Sequence, residues 1–237
     1  MAFRKAERKK AKLRLAITGI SGSGKTYGAL LIAFGIGGKI AMIDTENGSG
    51  DLYSHLGAYD ICALTAPFTT DTTDSYLKLI HEAEQTGYNT IIIDSLSHAW
   101  NGEGGLLDMQ ANVAKAKFKG NSYAAWSEIT PLHNKLINAI IQSPCHIIAT
   151  MRSKTEYAQN KIDNDKTVIE KVGLAPVQRD GVDYEFTTVF DINNEHTTFA
   201  SKDRTGIFGG KFFRITPKVG EVLRKWLNAG TEKGSEE

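Results

Sequence analysis

The segment GISGSGKT, residues 19–26, constrains the fold of this 237-residue chain more than any other stretch. It fits the pattern G-x-x-x-x-G-K-[ST] at every fixed position, and it lies between a predicted strand at 13–18 and a predicted helix at 25–36. Glycines let successive backbone N–H groups turn toward phosphate oxygens, and the N-terminus of the helix adds its positive dipole. The segment therefore predicts a site for a nucleoside triphosphate at the end of a strand.

The side chains of this phosphate loop have separable roles. Lys25 is expected to reach the β- and γ-phosphates, where it both binds the nucleotide and stabilises the charge of the reaction, and the Thr26 hydroxyl is expected to hold Mg²⁺. The residues predicted to contact the nucleotide here are Gly19, Ser21, Gly22, Ser23, Gly24, Lys25, Thr26 and Tyr27. The predicted cofactors are ATP and Mg²⁺.

Two acids further along the chain complete this prediction. The run NTIIIDSLSHAW places Asp94 at the carboxyl end of a buried strand, where an acid holds the magnesium directly or through water. The next residue is Ser95, so either a water-activating carboxylate comes from elsewhere or the protein hydrolyses poorly. Glu46 follows the second strand and is the candidate for that role, with a solvated loop acid as the open alternative. Asp44, one pleat earlier, is expected to be structural.

Apolar runs alternate with amphipathic stretches in the first two thirds of the chain. Runs rich in Ile, Leu and Val predict strands at 13–18, 39–44, 60–64, 90–94 and 145–150. The stretches between them predict helices at 25–36, 73–86 and 122–142. Strands that are apolar on both faces indicate a mostly parallel central sheet flanked by helices, which is an α/β fold.

The last third of the chain has a different pattern. Residues 152–180 are polar and lack periodicity, which is typical of a functional or disordered loop. The segments at 184–192 and 195–202 predict a β-hairpin, and the segment that opens with Thr216 and Pro217 predicts a short closing helix.

Charge is distributed unevenly along the chain. Residues 1–14 hold seven Lys or Arg and one Glu, a net charge of +6, while the rest of the chain carries −5. A basic arm at 1–12 suggests contact with a polyanion such as nucleic acid, and a solvated tail is the open alternative. We expect a single domain at 13–229 and a disordered tail at 230–237. The sequence contains no membrane-spanning run, so we expect no membrane partner and a cytoplasmic location.

Several segments together resemble a known family. GSGKT, MIDTENGSGDLY, IIIDSLSHAW, HIIATMRSK and FASKDRTGIFGGKF follow the order and spacing of the RecA/RadA recombinase core. The chain is similar, in particular, to the short RecA-like ATPases of bacteriophages and prophages, some of them Sak-type single-strand annealing proteins. The resemblance implies a RecA-like P-loop NTPase core with a C-terminal β-hairpin and short helix.

The resemblance also implies roles for individual residues. Glu46 corresponds to the catalytic glutamate of RecA, and Asp51 and Tyr53 correspond to residues at the adenine pocket. Lys202 and Arg204 match a pair of lysines that reach across the filament interface to the phosphates of the neighbouring subunit. Surface cations at a strand end are the open alternative for this pair. The expected assembly is a homo-oligomer, either a ring or a filament, with ATP at its interfaces.

The two DNA-binding loops of RecA correspond to residues 99–121 and 152–180. Single-stranded DNA is the expected partner, since cations there suit its phosphates, whereas solvated loop charges are the open alternative. The candidate DNA-binding residues are Lys115, Lys117, Lys119, Arg152, Lys154, Lys161, Lys166 and Lys171. A single-stranded-DNA-binding protein is a further candidate partner.

The arm contains Phe-x-x-Ala, the pattern with which archaeal and eukaryotic relatives of RecA plug one subunit into the next. The resemblance makes Phe3 and Ala6 candidates for oligomerisation. The expected function is an ATP-dependent, single-stranded-DNA-binding protein of recombination or annealing, of phage or prophage origin. The alternative is an ATP-gated module that recruits a partner with little turnover.

Overall fold

The computed structural model describes residues 3, 5–69, 75–162 and 166–231, without the side chains of residues 155–174. The strands are β1 Arg14–Gly19, β2 Ile40–Asp44, β3 Asp60–Ala63, β4 Thr90–Asp94, β5 His146–Ile162, β6 Lys166–Pro176, β7 Thr188–Ile192, β8 Thr198–Asp203 and β9 Phe212–Phe213. The helices are α1 Lys25–Ile36, α2 Tyr76–Gln85, α3 His98–Asn101, α4 Leu106–Lys117, α5 Ser122–Gln142 and α6 Pro217–Asn228, with 3₁₀ segments at Ser49–Leu56 and Val182–Glu185. Within the described part of the chain, no helix is both long and apolar enough to span a membrane.

The central sheet confirms the predicted α/β class. Its strand order is β3-β2-β4-β5-β1-β7-β8-β9, and all neighbours from β3 to β7 are parallel. Strands β7 and β8 form the predicted antiparallel hairpin, and α6 is the predicted closing helix. The carboxyl ends of the parallel strands therefore share one edge of the sheet, where the phosphate loop follows β1.

Both faces of the sheet are buried, as continuous apolar strands require. Ile91 and Ile93 of β4 pack into the cluster beneath α2 and α5, while Ile92 between them packs into the cluster beneath α1 and α6. Helices α1 and α6 approach closely at two glycines. A Cβ on Gly35 would lie 1.9 Å from the Pro217 carbonyl oxygen, and one on Gly220 would lie 2.1 Å from the Ile32 carbonyl oxygen. A larger residue at either glycine would separate the two helices.

Two segments differ from the sequence prediction. The region 99–121, predicted as a loop, contains helix α4, so that prediction is wrong in its secondary structure. The region 152–180, predicted as a functional or disordered loop, is largely an antiparallel ribbon formed by the outer half of β5 with β6. Backbone pairing stabilises such a ribbon without the apolar alternation that a sequence reading detects.

The starts of β1 and β5 are fixed by two buried side chains. The Arg14 guanidinium donates to the carbonyl oxygens of Leu13, Ile141, Ser143 and Cys145, and thereby satisfies backbone acceptors at and just beyond the C-terminus of α5. The Leu13 N–H donates to Nδ1 of His146 over 3.0 Å. Burial, with the nearby charges of Lys12 and Arg14, lowers the pKa of His146 to about 4. His146 is therefore neutral in the folded protein at neutral pH.

The pKa of His146 predicts a specific loss of stability in acid. Because the unfolded imidazole takes up its proton near pH 6.5 and the folded one only near pH 4, the unfolded state binds more protons between these values. The contribution of neutral His146 to the free energy of unfolding is fully present above pH 6.5, and it falls by about 3 kcal/mol as the pH drops to 4. Urea unfolding at pH 7 and pH 5 measures this loss of stability. It should be smaller in His146→Gln than in the wild-type protein, because the glutamine does not titrate while its amide oxygen can still accept from the Leu13 N–H. An equal loss in both proteins would contradict this assignment.

Candidate functional site

The phosphate loop has the geometry that its sequence predicts. It connects the end of β1 to the first residue of α1, and Gly22 and Gly24 have φ angles of 77° and 91°. This left-handed region is readily available to glycine and strains other residues, so the two glycines shape the turn. The loop thereby directs backbone N–H groups and the N-terminus of α1 toward one space, which suits an anion.

Lys25 and Thr26 begin α1 and face the end of β4. The Lys25 ammonium donates to the Ile20 carbonyl oxygen over 2.8 Å, and burial lowers its pKa while Asp94 and Glu46 oppose that effect. The Thr26 hydroxyl donates to Oδ2 of Asp94 over 2.7 Å. The Thr150 hydroxyl donates to the other carboxylate oxygen of Asp94. The two predicted magnesium ligands, Thr26 and Asp94, are thus in direct contact.

The donor set at Asp94 fits Mg²⁺. Its side chain is buried, and burial raises the pKa of Asp94 despite the hydrogen bonds from Thr150 and Thr26. A cation beside this carboxylate would stabilise its charged form. In the described residues no group of three or more His, Cys, Asp or Glu could hold a metal ion. Thr26 and Asp94 would therefore share the magnesium with phosphate and water oxygens, as this hard ion prefers.

The second candidate acid lies beside Asp94 because β2 pairs with β4. The register places Asp44 opposite Asp94, and the Thr45 N–H donates to the Asp94 carbonyl oxygen over 2.7 Å. Glu46 thus follows directly from the strand that neighbours the magnesium acid. The buried Asp44 carboxylate accepts from the N–H groups of Glu46 and Gly50 over 2.6 and 3.2 Å. Asp44 therefore has the structural role expected of it.

Glu46 is bound by Arg152, an interaction that the sequence does not reveal. Nε and NH2 of Arg152 donate to the two carboxylate oxygens of Glu46 over 3.1 and 2.5 Å. Burial raises the pKa of Glu46, but the hydrogen bonds and charge of Arg152 outweigh it, so the net pKa is lowered. Arg152 was predicted to bind DNA, and the structure instead places its guanidinium at the acid. A bidentate guanidinium pair holds the carboxylate in one orientation.

A cavity of ≈ 520 Å³ adjoins the phosphate loop on the side of the β7–β8 hairpin. Tyr53, the predicted adenine contact, lines it, and its ring makes an edge contact with Tyr27 at 5.9 Å. Asp51 does not line this cavity and instead borders a separate depression beside Lys39. The cavity is also lined by Ile192, His196, Thr198, Arg214 and Ile215, which the sequence reading missed. Of these, His196 contacts the loop directly, with Nδ1 2.9 Å from the Ser23 carbonyl oxygen.

Lys202 and Arg204 lie toward the opposite end of the β7–β8 hairpin from this cavity. β8 runs antiparallel to β7, with Lys202 opposite Val189, whereas Gly19 of the phosphate loop lies opposite Ile192. About 10 Å of strand therefore separates Lys202 from the level of the loop. Both side chains donate to the Tyr184 carbonyl oxygen. Neither cation reaches the phosphate loop of its own chain.

Comparisons with known proteins identify the domain. A protein-family model described as "AAA domain" matches residues 11–216. The chain belongs to this AAA-domain family. No curated protein matches the chain. Among solved structures, "Crystal structure of the RadB recombinase" shares 16% identity with a TM-score of 0.43, and the alignment covers 86% of this chain and 88% of that chain. The P-loop site described above is thus that of an AAA-domain NTPase.

The remaining predicted residues of this AAA-domain protein are distributed over two regions. Lys115 and Lys117 lie in the last turn of α4, where Lys117 pairs with Glu128 over 2.7 Å, and Lys119 follows the helix. Lys154 is exposed on β5, next but one to Arg152. The side chains of Lys161, Lys166 and Lys171 lie outside the described part of the structure.

The basic arm is partly bound to its own domain. Lys9 pairs with Thr231, and the Ala11 N–H donates to the Leu227 carbonyl oxygen. The Arg8 guanidinium lies 4.8 Å from the ring centroid of Trp226 and donates to its carbonyl oxygen. Phe3 and Ala6 are exposed beyond this anchor. Thr231, placed in the predicted tail, is thus paired, and residues 232–237 lie outside the described residues.

The Thr26–Asp94 contact predicts how Mg²⁺ affects nucleotide binding. Asp94→Asn keeps the shape of the side chain but removes its charge, so the increase in ATP affinity that Mg²⁺ gives the wild-type protein should fall at least about ten-fold. Titration of a fluorescent ATP analogue with and without Mg²⁺ measures this difference. Asp60→Asn, an exposed acid on β3, is the matched control. An undiminished Mg²⁺ effect in Asp94→Asn would remove Asp94 from the metal site.

Proposed function

We propose that this AAA-domain protein hydrolyses ATP at interfaces between copies of itself, binds single-stranded DNA, and promotes annealing or strand pairing in recombination. The resemblance to RecA-like phage ATPases supports this proposal, and so do the residues at the carboxyl edge of the sheet. The observation that carries it is the position of Glu46, two residues beyond Asp44, where the β2–β4 register aligns Asp44 with Asp94. A carboxylate there suits the activation of water for in-line attack on the γ-phosphate.

Hydrolysis between copies is supported by the position of Lys202 and Arg204. Phosphoryl transfer needs cations at the transferring group beyond the loop lysine, and an added arginine finger raises the rate by 10³ to 10⁵. Because Lys202 lies about 10 Å along the strand from the level of its own loop and both side chains donate to the Tyr184 carbonyl oxygen, they suit the nucleotide of a neighbouring copy better than their own. The exposed Phe3 and Ala6 of the arm are the proposed contacts that join the copies.

Binding of single-stranded DNA is supported by cations near the same edge of the sheet. Lys154 extends from the strand that carries Arg152, and Lys115, Lys117 and Lys119 end α4. Such residues suit the phosphates of a nucleic acid, and their contribution would weaken with added salt. DNA bound there would lie close to Arg152, whose guanidinium holds the proposed base.

One observation favours the second candidate function. Both oxygens of Glu46 are bound by Arg152, and this interaction lowers the pKa of Glu46, which makes it a weaker base. A chain in which that pair persists would bind ATP and turn it over slowly, as expected of an ATP-gated module that recruits a partner protein.

Substitution of Glu46 tests the proposed ATPase. In Glu46→Gln the side chain keeps its size but cannot take a proton from water, so phosphate release should fall by about 10² to 10⁴ while ATP affinity stays unchanged. Steady-state phosphate release and nucleotide titration measure the two quantities. Glu103→Gln, an exposed acid after α3, serves as the control. Undiminished turnover in Glu46→Gln would exclude Glu46 as the base.

The same assay separates the two candidate functions. Turnover by the wild-type protein should rise when single-stranded DNA is added at low ionic strength. Turnover that stays near zero with and without DNA, together with intact ATP binding, would favour the ATP-gated module.

Mixed assemblies test whether the site is shared between copies. Glu46→Gln should have little activity, for the reason given above. The double variant Lys202→Ala/Arg204→Ala should hydrolyse ATP about 10³ times more slowly than the wild-type protein. In an equal mixture, about a quarter of randomly formed head-to-tail interfaces would combine an intact base with intact cations. The mixture should therefore recover about that share of the wild-type rate. A mixture no more active than its components would contradict a shared site.

A further inference from the structure

A groove with three aromatic side chains lies beyond the carboxyl end of β4 and beside the middle of β5, and no residue of the phosphate loop lines it. We call it the aromatic groove and define it by Trp100, Tyr123, Trp126, Lys154 and Arg179. Its volume is ≈ 900 Å³. The members come from α3, the start of α5, β5 and the segment after β6, so the folded chain brings together residues that are distant in sequence.

The aromatic rings of this groove are held in fixed positions. The rings of Trp100 and Trp126 stack with centroids 5.6 Å apart and an interplanar angle of 18°, and the ring of His133 meets Trp100 edge-on at 6.0 Å. Tyr123 precedes Trp126 by three residues on α5, so it lies on the same side of the helix. Its side chain is 87% exposed. The groove thus presents a free phenol ring beside a rigid tryptophan pair.

Cations border these rings. The Arg179 guanidinium lies 5.6 Å from the ring centroid of Trp126, and the Lys154 side chain is exposed on β5. Asp180 is the acidic residue that lines the same groove, which leaves a net positive charge. The buried Gln178 accepts from the Arg179 N–H and donates to the Leu96 carbonyl oxygen. The backbone that carries Arg179 is therefore anchored to the end of β4.

We infer that the aromatic groove is a base-stacking site for single-stranded nucleic acid. The inference rests on the proposed function and specifies where the unpaired bases of that ligand bind. Stacking on aromatic rings needs a free base face, which a single strand offers and a duplex hides, and the bordering cations suit its phosphates. Stacking of this kind discriminates little between bases, because every base has a π face.

The position of the groove connects it to the ATP site. Lys154 lies two residues after Arg152 on β5. Their side chains therefore project from the same face of the strand, at positions about 7 Å apart. The Arg152 N–H donates to the Ser97 hydroxyl oxygen, and its carbonyl oxygen accepts from Val177 at the base of the ribbon. A phosphate bound by Lys154 would thus lie beside the guanidinium that holds Glu46. A strand in this groove is well placed to weaken that pair.

A proline-rich peptide is the competing ligand, because aromatic grooves also bind extended proline helices. Such a peptide gains little from Lys154 and Arg179, and its binding would depend weakly on salt. The cationic border therefore favours the polyanion.

Tryptophan fluorescence reports on the groove directly. The chain contains three tryptophans. Trp226, on α6, packs against Arg8 of the arm and lies outside the groove. In full-length Trp226→Phe, the emission comes from Trp100 and Trp126. A short oligothymidylate added at low ionic strength with an ATP analogue should quench this emission, and a duplex of matched length should quench it much less. Equal quenching by the duplex, or quenching by a polyproline peptide alone, would overturn the inference.

Substitution of the exposed ring gives the second test. Tyr123→Ala should weaken oligothymidylate binding about ten-fold or more, since one stacked base is lost, with unchanged ATP affinity. Lys154→Ala should lower the slope of log affinity against log salt by about one. The matched controls are Phe212→Ala, an exposed aromatic on β9, and Lys218→Ala, an exposed lysine on α6. Both controls should bind like the wild-type protein.

The outcomes distinguish this inference from the proposed function. If the wild-type protein binds oligothymidylate but Tyr123→Ala binds equally well and the emission of Trp226→Phe is unquenched, the groove is not the site and DNA binding stands. If no single strand binds with or without nucleotide, the DNA-binding part of the proposed function fails together with the groove.

Discussion

The parallel pairing of β2 with β4 is the constraint on which the site depends. Its register sets Asp44 opposite Asp94, and hydrogen bonds continue beyond the strands, since Thr45 donates to Asp94 and Ser95 donates to the Thr45 hydroxyl. The first residue that leaves this ladder is Glu46. A shift of one residue in the pairing would turn these acids to the opposite faces of the sheet. Backbone geometry, more than any side-chain contact, therefore decides which carboxylate follows β2 at the edge of the sheet that carries the phosphate loop.

The fold was predictable from the sequence where a local pattern determines the structure. The central strands β1 and β4 carry continuous apolar runs because both of their faces are covered, and such runs can be recognised without knowing their partners. The phosphate loop is equally local, since Gly22 and Gly24 are required by their own φ angles. Helix α4 was missed because the weak apolar periodicity of LLDMQANVAKAK was overridden by the resemblance of 99–121 to a DNA-binding loop.

The site was predictable only in part, because several of its contacts join residues that are distant in sequence. Arg152 lies 106 residues from Glu46, and no spacing rule connects a cation after one strand to an acid after another. The same holds for His196, which reaches the phosphate loop from 173 residues away through the β7–β8 turn. The resemblance grouped Asp51 with Tyr53, but Tyr53 lines the cavity beside the phosphate loop and Asp51, two residues earlier, lines a different depression. Arg152 was assigned to DNA by its charge and by the resemblance of 152–180 to a DNA-binding loop, and neither shows its contact with Glu46.

In the proposed assembly through Phe3, the attachment of the arm to α6 limits how copies of this chain can be arranged. Lys9 is fixed by its pairing with Thr231, so only the residues before it are available to reach a neighbour. Lys9 lies six positions after Phe3, and a fully extended chain of that length spans about 20 Å. A pocket that receives Phe3 must therefore lie within that radius of the C-terminal end of α6. The short reach of the arm in that assembly favours closely spaced subunits over a loose chain of tethered domains.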